Sequence, residues 1–271
     1  MPIDLQSLWD YRNPALSEER FRAALAAATG DDALILETQI ARTYSLRRDY
    51  DKTRELLRGI EPRLATAGPE PRVRAALELG RSHASASHPD GTITPGDIES
   101  ARAAYMQATK LAQEAGLDAL AIDALHMLAF VDTAPADQLK WGQAALAISV
   151  SSTQPAAKNW EASLRNNIGH ALHQLGRYEE ALAEFQRAAH LYNQGADEEA
   201  KRIARWTIAH TLRSLSRIDE ALEQQLSLER DCEAAHAPDI YVFEELEHLY
   251  RARGNESLAS HYAEKRKALS K

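Results

Sequence analysis

The side chains of this chain that could do chemistry are basic or titratable residues that recur at a regular spacing. They are Arg42, Arg81, His126, His170, His210 and His248. After each of the last three, a second such residue follows one helical turn later, and these residues are His173, Arg213 and Arg251. Residues three positions apart share one face of a helix. The pattern predicts a row of hydrogen-bond donors suited to an acidic or carboxylate-bearing ligand.

Two structural explanations compete with this prediction. Cations near the C-terminal end of a helix stabilise it by about 0.3–1 kcal/mol through the helix dipole. A neutral histidine can also pack between helices as a satisfied residue. In addition, the acids Glu244, Glu245 and Glu247 would neutralise the last pair of the row. The sequence leaves both a binding role and a structural role open.

Asn166 and Trp206 are the other candidate binding residues. Trp206 lies one turn before His210 on the same helical face, and Asn166 holds the equivalent position one helix pair earlier. An exposed tryptophan is a frequent anchor for a bound partner. Together with an amide side chain it would suit an extended peptide backbone. The alternative is that Trp206 belongs to the core.

Sequence motifs for catalysis and metal binding are missing. There is no glycine-rich phosphate loop, no His-Glu-x-x-His pair and no Gly-x-Ser-x-Gly elbow. His83, His88 and Asp90 lie close together in sequence, but nothing in their spacing fixes a metal geometry. Cys232 has only His236 as a local histidine partner, so we expect a structural cysteine. The sequence therefore predicts no catalytic residue, no metal and no cofactor.

Composition narrows the class of protein further. The 271 residues carry a net charge of −8, which argues against binding to nucleic acid because the phosphate backbone selects basic surfaces. A single cysteine excludes an internal disulfide framework and fits a reducing compartment. The segment Met1–Leu5 has no basic start and no apolar run, so it does not predict a secretory signal. No apolar stretch approaches the roughly 20 residues that cross a bilayer. We expect a cytoplasmic protein that contacts no membrane.

One stretch of the chain, from Asn166 to Ala188, indicates which elements position these residues. Its key positions hold Ile168, Gly169, Leu172, Gly176, Tyr178, Ala181, Phe185 and Ala188. This pattern closely resembles one tetratricopeptide repeat, a hairpin of two antiparallel helices. The resemblance implies that Gly169 and Ala181 face each other where the helices cross. It also implies that Gly176 ends the first helix in a left-handed conformation.

Similar but weaker copies extend the resemblance along the chain. They centre on Ile208-Ala209 and Leu246-Glu247 after the clear copy, and on Ile40-Ala41, Leu79-Gly80 and Ala124-Leu125 before it. Ala181 and Ala221 hold equivalent positions 40 residues apart, more than the roughly 34 residues of the minimal repeat. The chain is therefore similar to the long-helix members of the family, such as the bacterial regulatory and kinesin-light-chain types.

The fold that this resemblance implies is an all-α, right-handed solenoid of about six to seven helix hairpins. We expect a single domain over residues 1–271, with a partial first hairpin over 1–30, a long hairpin loop at about 85–94 and the clearest repeats over 160–271. Local signals support helix starts at two places. Ser17 is followed by two acids, and Thr94 is followed by Pro95, both of which favour a helix N-terminus.

The function that the resemblance implies is non-enzymatic binding of a protein or peptide. In this family the first helices of the hairpins line a concave groove, which would hold the row of basic residues. A sensor that responds to a small peptide or ligand, and an enzyme or metal protein built across repeats, are alternatives. Self-assembly, including a homodimer, is a further one, through an outer face of the C-terminal hairpin. That face would consist of Tyr241, Phe243, Leu246, Leu249 and Tyr250.

Overall fold

The computed structural model of the protein describes residues 3–270, and over this range it contains α-helices and no β-strand. The helices form two compact units, one up to Trp160 and one from Glu161 onward. The helices of the first unit are α1 (Leu5–Leu8), α2 (Pro14–Leu25), α3 (Gly30–Leu46), α4 (Tyr50–Leu64), α5 (Pro69–His83), α6 (Pro95–Glu114), α7 (Asp118–Val131), α8 (Pro135–Ser151) and α9 (Pro155–Lys158). Those of the second unit are α10 (Glu161–Gln174), α11 (Tyr178–Tyr192), α12 (Glu198–Ser214), α13 (Ile218–Ala234), α14 (Ile240–Ala252) and α15 (Glu256–Leu269).

Within each unit the long helices pack in chain order as antiparallel hairpins. The first unit contains the hairpins α3–α4, α5–α6 and α7–α8, and the second contains α10–α11, α12–α13 and α14–α15. In addition, α3 packs on α5 and α12 packs on α14, so first helices of successive hairpins contact each other. Helix α2 precedes these six hairpins and packs on α3 as a partial first hairpin. The prediction of an all-α fold of about six to seven stacked hairpins is confirmed.

A left-handed residue ends the first helix in four of the hairpins. Gly176 has a φ of 74°, and the next amide, of Arg177, donates to the carbonyl oxygen of Leu172 at 2.9 Å. Arg48, Ser216 and Gly254 repeat this geometry, with φ of 64°, 59° and 75°. The bond satisfies a carbonyl at the helix end that has no partner within the helix. The predicted role of Gly176 is confirmed.

The glycines at the helix crossings lie against an aromatic ring. The sequence had predicted that a small residue faces them. A Cβ placed on Gly169 would lie 2.6 Å from the ring of Phe185. A Cβ placed on Gly80 would likewise lie too close to the ring of Tyr105. Phe185 and Tyr105 are almost completely buried. The ring, not Ala181, is therefore the nearest neighbour that requires glycine at position 169.

Two of the predicted helix starts have different outcomes. Thr94 caps α6 as predicted, because its side chain accepts from the amide of Asp97 and Pro95 occupies the first helical turn. The prediction for Ser17 is wrong. Helix α2 begins earlier, with Asn13 as its cap, and Ser17 is buried inside the helix, where its hydroxyl accepts from the amide of Asp10 at 2.7 Å.

The long loop between α5 and α6, residues 84–94, is folded against α6 of its own hairpin and against α4 of the preceding one. The ring of His88 stacks on Tyr50 with 3.9 Å between ring centroids. Tyr105 donates from its hydroxyl to the carbonyl oxygen of Ala84 at 2.7 Å. These contacts give His88 a packing role in the loop.

Three of the five residues predicted to form an outer face of α14 belong to the core, whereas Tyr241 is 62% exposed and Tyr250 is half-buried. Phe243, Leu246 and Leu249 are at most 5% exposed and pack with Leu212 and Leu228 of the same unit. The prediction that they form an exposed self-assembly face is wrong, because the apolar stripe of α14 turns toward the neighbouring helices. Among residues 3–270, no helix is long and apolar enough to cross a membrane.

Candidate ligand-binding surface of the second unit

The first helices of the second unit bring a cluster of rings together on one surface. The rings of His173 on α10 and His210 on α12 lie 5.0 Å apart between centroids. Trp206 stacks on His210 at 5.0 Å with an interplanar angle of 10°. His170, one turn before His173, packs edge-on against Phe185 at 5.0 Å. We call His170, His173, Trp206 and His210 the ring cluster.

Trp206 lies at the edge of the ring cluster in a fixed orientation. Its indole Nε1 donates to the carbonyl oxygen of Tyr241 on α14 at 3.0 Å, and the indole also meets the Tyr241 ring edge-to-face. The side chain is half-buried, so part of the ring faces solvent. The sequence left two interpretations of Trp206 open, an exposed residue and a core residue. In the structure Trp206 is neither of these. Its indole is held in place and presents apolar area.

A buried carboxylate of the next first helix neutralises the middle of the row. Glu245 on α14 is 1% exposed. Its oxygens accept from Arg213 Nε at 2.6 Å and Nη2 at 3.1 Å, and lie 3.2 Å from His210 Nδ1. Burial alone would raise the pKa of Glu245, but the hydrogen bonds and charges of His210 and Arg213 hold it below its ordinary value. Glu245 is thus the counter-ion of Arg213 and a hydrogen-bond partner of His210.

The two histidines of α10 are poised to remain neutral at physiological pH. The loss of surrounding solvent lowers the pKa of His170, although its ring edge reaches the surface, and the nearby His210 lowers it further. His173 has a lowered pKa for the same two reasons, and its Nε2 lies 3.0 Å from the hydroxyl of Ser214. His170 and His173 therefore carry little charge until the pH falls below about 6.5, the ordinary histidine value.

The remaining candidates of this unit are less constrained by internal contacts. The Oδ1 atom of Asn166 is buried and has no hydrogen-bond partner within the described part of the chain. His248 is half-buried. Arg251 is half-exposed and lies 3.0 Å from Glu247 on its own helix. A buried amide oxygen without a partner is unusual in a folded protein, which marks Asn166 as a position that can accept a hydrogen bond.

The candidates of the first unit form an ion-pair network instead of an open row. Arg81 is 7% exposed, and it donates to Glu78 at 2.5 Å and to both oxygens of Asp123 at 2.6 and 2.7 Å. Burial acts against the charge of Arg81, but Asp123 and Glu78 hold its pKa above the ordinary value. Arg42 lies 3.4 Å from Glu78. Arg81 is fully engaged in joining α5 to α7.

The last candidate of this unit, His126, packs against Trp160 with 5.5 Å between ring centroids. Burial lowers its pKa, and the nearby Asp123 only partly opposes that effect. His126 is therefore a packed, neutral histidine at ordinary pH.

Arg42 faces a cavity of about 390 Å³ that lies beside Trp9 and Tyr11. The ring centroids of Trp9 and Tyr11 are both 5.9 Å from the guanidinium carbon of Arg42.

Sequence reasoning missed Glu78 and Asp123, and it assigned Glu245 to the last pair of the row instead of to His210 and Arg213. Glu78, Asp123 and Glu245 stand three residues before Arg81, His126 and His248, at one recurrent position of the first helices. From that position a carboxylate reaches back to the basic residue of the preceding first helix, as in Arg42–Glu78, Arg81–Asp123 and His210–Glu245. The recurrence of an acid at this spacing was the signal available in the sequence.

The described residues show no convergent metal site. Over residues 3–270, no group of three or more His, Cys, Asp or Glu side chains is arranged to hold a metal ion. In the long loop, His83 Nδ1 lies 3.4 Å from Asp97, and His88 is stacked on Tyr50. Cys232 is free and buried, and burial raises the pKa of its thiol, so it stays in the unreactive protonated form.

Comparison with known proteins finds one repeat family that matches part of the chain. Residues 160–233 match the family model of the tetratricopeptide repeat. No curated protein sequence matches the chain. Among solved structures, the apo form of RapI shares 14% identity with a TM-score of 0.75, over 97% of this chain and 74% of that one.

Two further solved structures have the same kind of fold. A signal-transduction ATPase with numerous domains and a tetratricopeptide repeat sensor, from Pyrococcus horikoshii, shares 9% identity with a TM-score of 0.73, over 94% of this chain and 39% of that one. A kinesin light chain with nearly identical repeats, from Podosopora anserina, shares 16% identity with a TM-score of 0.56, over 77% of this chain and 99% of that one. This chain thus spans less than half of the ATPase, and at these identities the likeness shows the fold alone.

Proposed function

We propose that this chain, whose residues 160–233 are tetratricopeptide repeats, is a non-enzymatic scaffold that binds an extended peptide segment of a partner protein. The binding surface is the ring cluster together with Asn166 on α10. The observation that carries this proposal is the fixed, partly exposed indole of Trp206 stacked on His210, together with the unpaired amide oxygen of Asn166 on α10. A cytoplasmic location is part of the proposal.

The chemistry of this surface suits a peptide main chain. The buried Asn166 oxygen has no partner within residues 3–270, and it can accept an amide hydrogen of a peptide once the side chain, which is only half-buried, turns outward. A peptide also offers apolar side chains to the exposed part of the indole, and tryptophan is a frequent source of binding energy at interfaces. Because Trp206 is already held by its bond to Tyr241, little side-chain entropy is lost on binding.

The preference for an acidic segment depends on pH. At neutral pH, Arg213 is paired with Glu245 and Arg251 with Glu247, so the fixed charges of this surface largely cancel. Net positive charge arises when His170 and His173, whose pKa values are lowered, take up protons. An acidic segment favours that charged form, so its affinity rises as the pH falls below about 6.5 and declines again once its own carboxylates protonate.

The test is a pull-down from the source cell followed by calorimetry with the recovered peptide segment. Trp206→Ala should weaken binding by a factor of about ten or more, since it removes an anchor worth roughly 2 kcal/mol. Asn166→Ala should weaken it less, by about the value of one hydrogen bond, roughly 1 kcal/mol. Both variants should keep the helical content of the parent.

Arg230→Ala is the matched control, because Arg230 is exposed on the second helix α13. This change should leave the affinity within about twofold. If Trp206→Ala and Asn166→Ala bind the segment as tightly as the parent does, the proposed surface is wrong. The basic residues of the row then have only a structural role, like that of His210 and Arg213 in their contacts with Glu245.

A further inference from the structure

The first unit has an apolar groove that involves neither the ring cluster nor the ion-pair network. It lies among α4, α5 and α6 and encloses about 450 Å³. Its floor is formed by Leu57, Ala75 and Ala76, which belong to or adjoin the core, and by Leu79, which is 37% exposed. A leucine left this accessible at the floor of a groove is apolar area that an apolar partner can bury.

The groove has the dimensions of a short helix. Along α4 it extends from Arg54 to Ala65, which at 1.5 Å per residue is about 16 Å, or three helical turns. The middle of its floor is formed by alanines, so a partner can come close to the backbone of α5. Leu64 on α4 and Leu111 on α6 form the side walls. An apolar stripe of a helix with residues at i, i+3, i+4 and i+7 fits such a surface.

The charges at the rim of the groove have one dominant sign. Arg58 and Arg72 line it, both are exposed, and neither has a carboxylate partner within residues 3–270. Arg54 also lines it, paired with Asp51 at 2.6 Å, and Glu61 is the acid of the rim. Two unpaired arginines beside one apolar groove are notable in a chain of net charge −8. They can pair with carboxylates that flank an apolar stripe.

From the apolar floor, the length and the unpaired arginines, we infer that this groove binds an acidic amphipathic helix of about three turns from a partner protein. The apolar stripe of that helix covers Leu79 and the alanine floor, and its flanking carboxylates pair with Arg58 and Arg72. The inference is independent of the peptide site on the second unit, because it uses other helices and other residues.

The test uses a defined probe. It is a fluorescein-labelled synthetic peptide of roughly 12–14 residues, with leucines on one helical face and glutamates on both flanks. Fluorescence anisotropy with the full chain measures the affinity. The double variant Arg58→Glu/Arg72→Glu should weaken binding by about tenfold or more, because the attraction becomes repulsion. Leu79→Ala should weaken binding of the peptide severalfold. Added salt should weaken mainly the attraction between the arginines of the rim and the glutamates of the peptide.

Three controls make the result decisive. Arg20→Glu changes an exposed arginine of α2 outside the groove, so affinity should stay within about twofold. A peptide of the same composition with its apolar stripe scrambled should bind at least about tenfold more weakly. Trp206→Ala should have no effect. If the groove variants bind the probe as the parent does, if the scrambled peptide binds equally well, or if Trp206→Ala alone removes binding, the inference is overturned. Self-association of the chain that the groove variants abolish would also overturn it, in favour of a second copy as the occupant.

Discussion

Glu245→Gln is the change that best separates the structural role of the basic row from its binding role. Glu245 is 1% exposed and accepts two bonds from Arg213, at 2.6 and 3.1 Å, while its second oxygen lies 3.2 Å from His210. Glutamine keeps the shape of the side chain and removes its charge. Arg213 then loses its counter-ion and His210 loses its carboxylate partner, and the glutamine NH₂ adds a donor beside the donors of Arg213.

The expected cost lies between two limits. Removing one partner of a fully buried ion pair costs about 3–5 kcal/mol, whereas exposed pairs are worth about 0–1 kcal/mol. The side chain of Arg213 is 27% exposed, so water can solvate its charge in part. We therefore expect Glu245→Gln to lower the free energy of unfolding by about 2 kcal/mol at neutral pH.

The assay is urea denaturation followed by circular dichroism, with Glu244→Gln as the matched control. Glu244 is the neighbouring residue, and its pair with Arg266 is partly exposed, so its loss should cost at most about 1 kcal/mol. The pKa of Glu245 is lowered in the folded state, so its stabilising effect is present above its ordinary value of 4.5 and is lost as the pH falls through the lowered folded value. The difference between parent and variant should therefore vanish in acid. Equal stability of Glu245→Gln and Glu244→Gln at neutral pH would refute the reasoning.

Four other predictions concern the ring cluster, two glycines and Cys232. Acidic peptide should bind the second unit more tightly at about pH 5.5 than at about pH 7.5, because the pKa of His170 is lowered by burial and an anion favours its charged form; equal affinities by calorimetry would contradict this. Gly169→Ala should lower the free energy of unfolding by about 1–2 kcal/mol, since its Cβ would lie 2.6 Å from the ring of Phe185. Gly59→Ala, with open space around it, should instead stabilise α4 by about 0.5–1 kcal/mol, and urea titrations giving the reverse order would refute both expectations. Cys232, which is 3% exposed, should react with a disulfide reagent only after unfolding, so rapid reaction of the native protein would contradict its buried position.

The architecture of the hairpins could be predicted from the sequence because it depends on short-range rules. Gly176 was expected in a left-handed turn, and φ there is 74°. Thr94 was expected to begin a helix, and it caps α6. Both features involve only a few neighbouring residues, whose backbone preferences are set by sterics and by local hydrogen bonds. Ser17 shows the limit of such rules, since Asn13 offers an equally good cap one turn earlier.

The character of the candidate site was decided by contacts between distant residues. The spacing of the row predicted that His210 and Arg213 share a helical face, but not that Glu245, more than 30 residues away, would contact both. The same holds for Trp206, whose orientation depends on the carbonyl oxygen of Tyr241 on another helix. Periodicity fixes which residues share one helical face. The rotation of that helix against its neighbours decides which charges meet and which rings stay exposed, and it is set by packing of the whole unit.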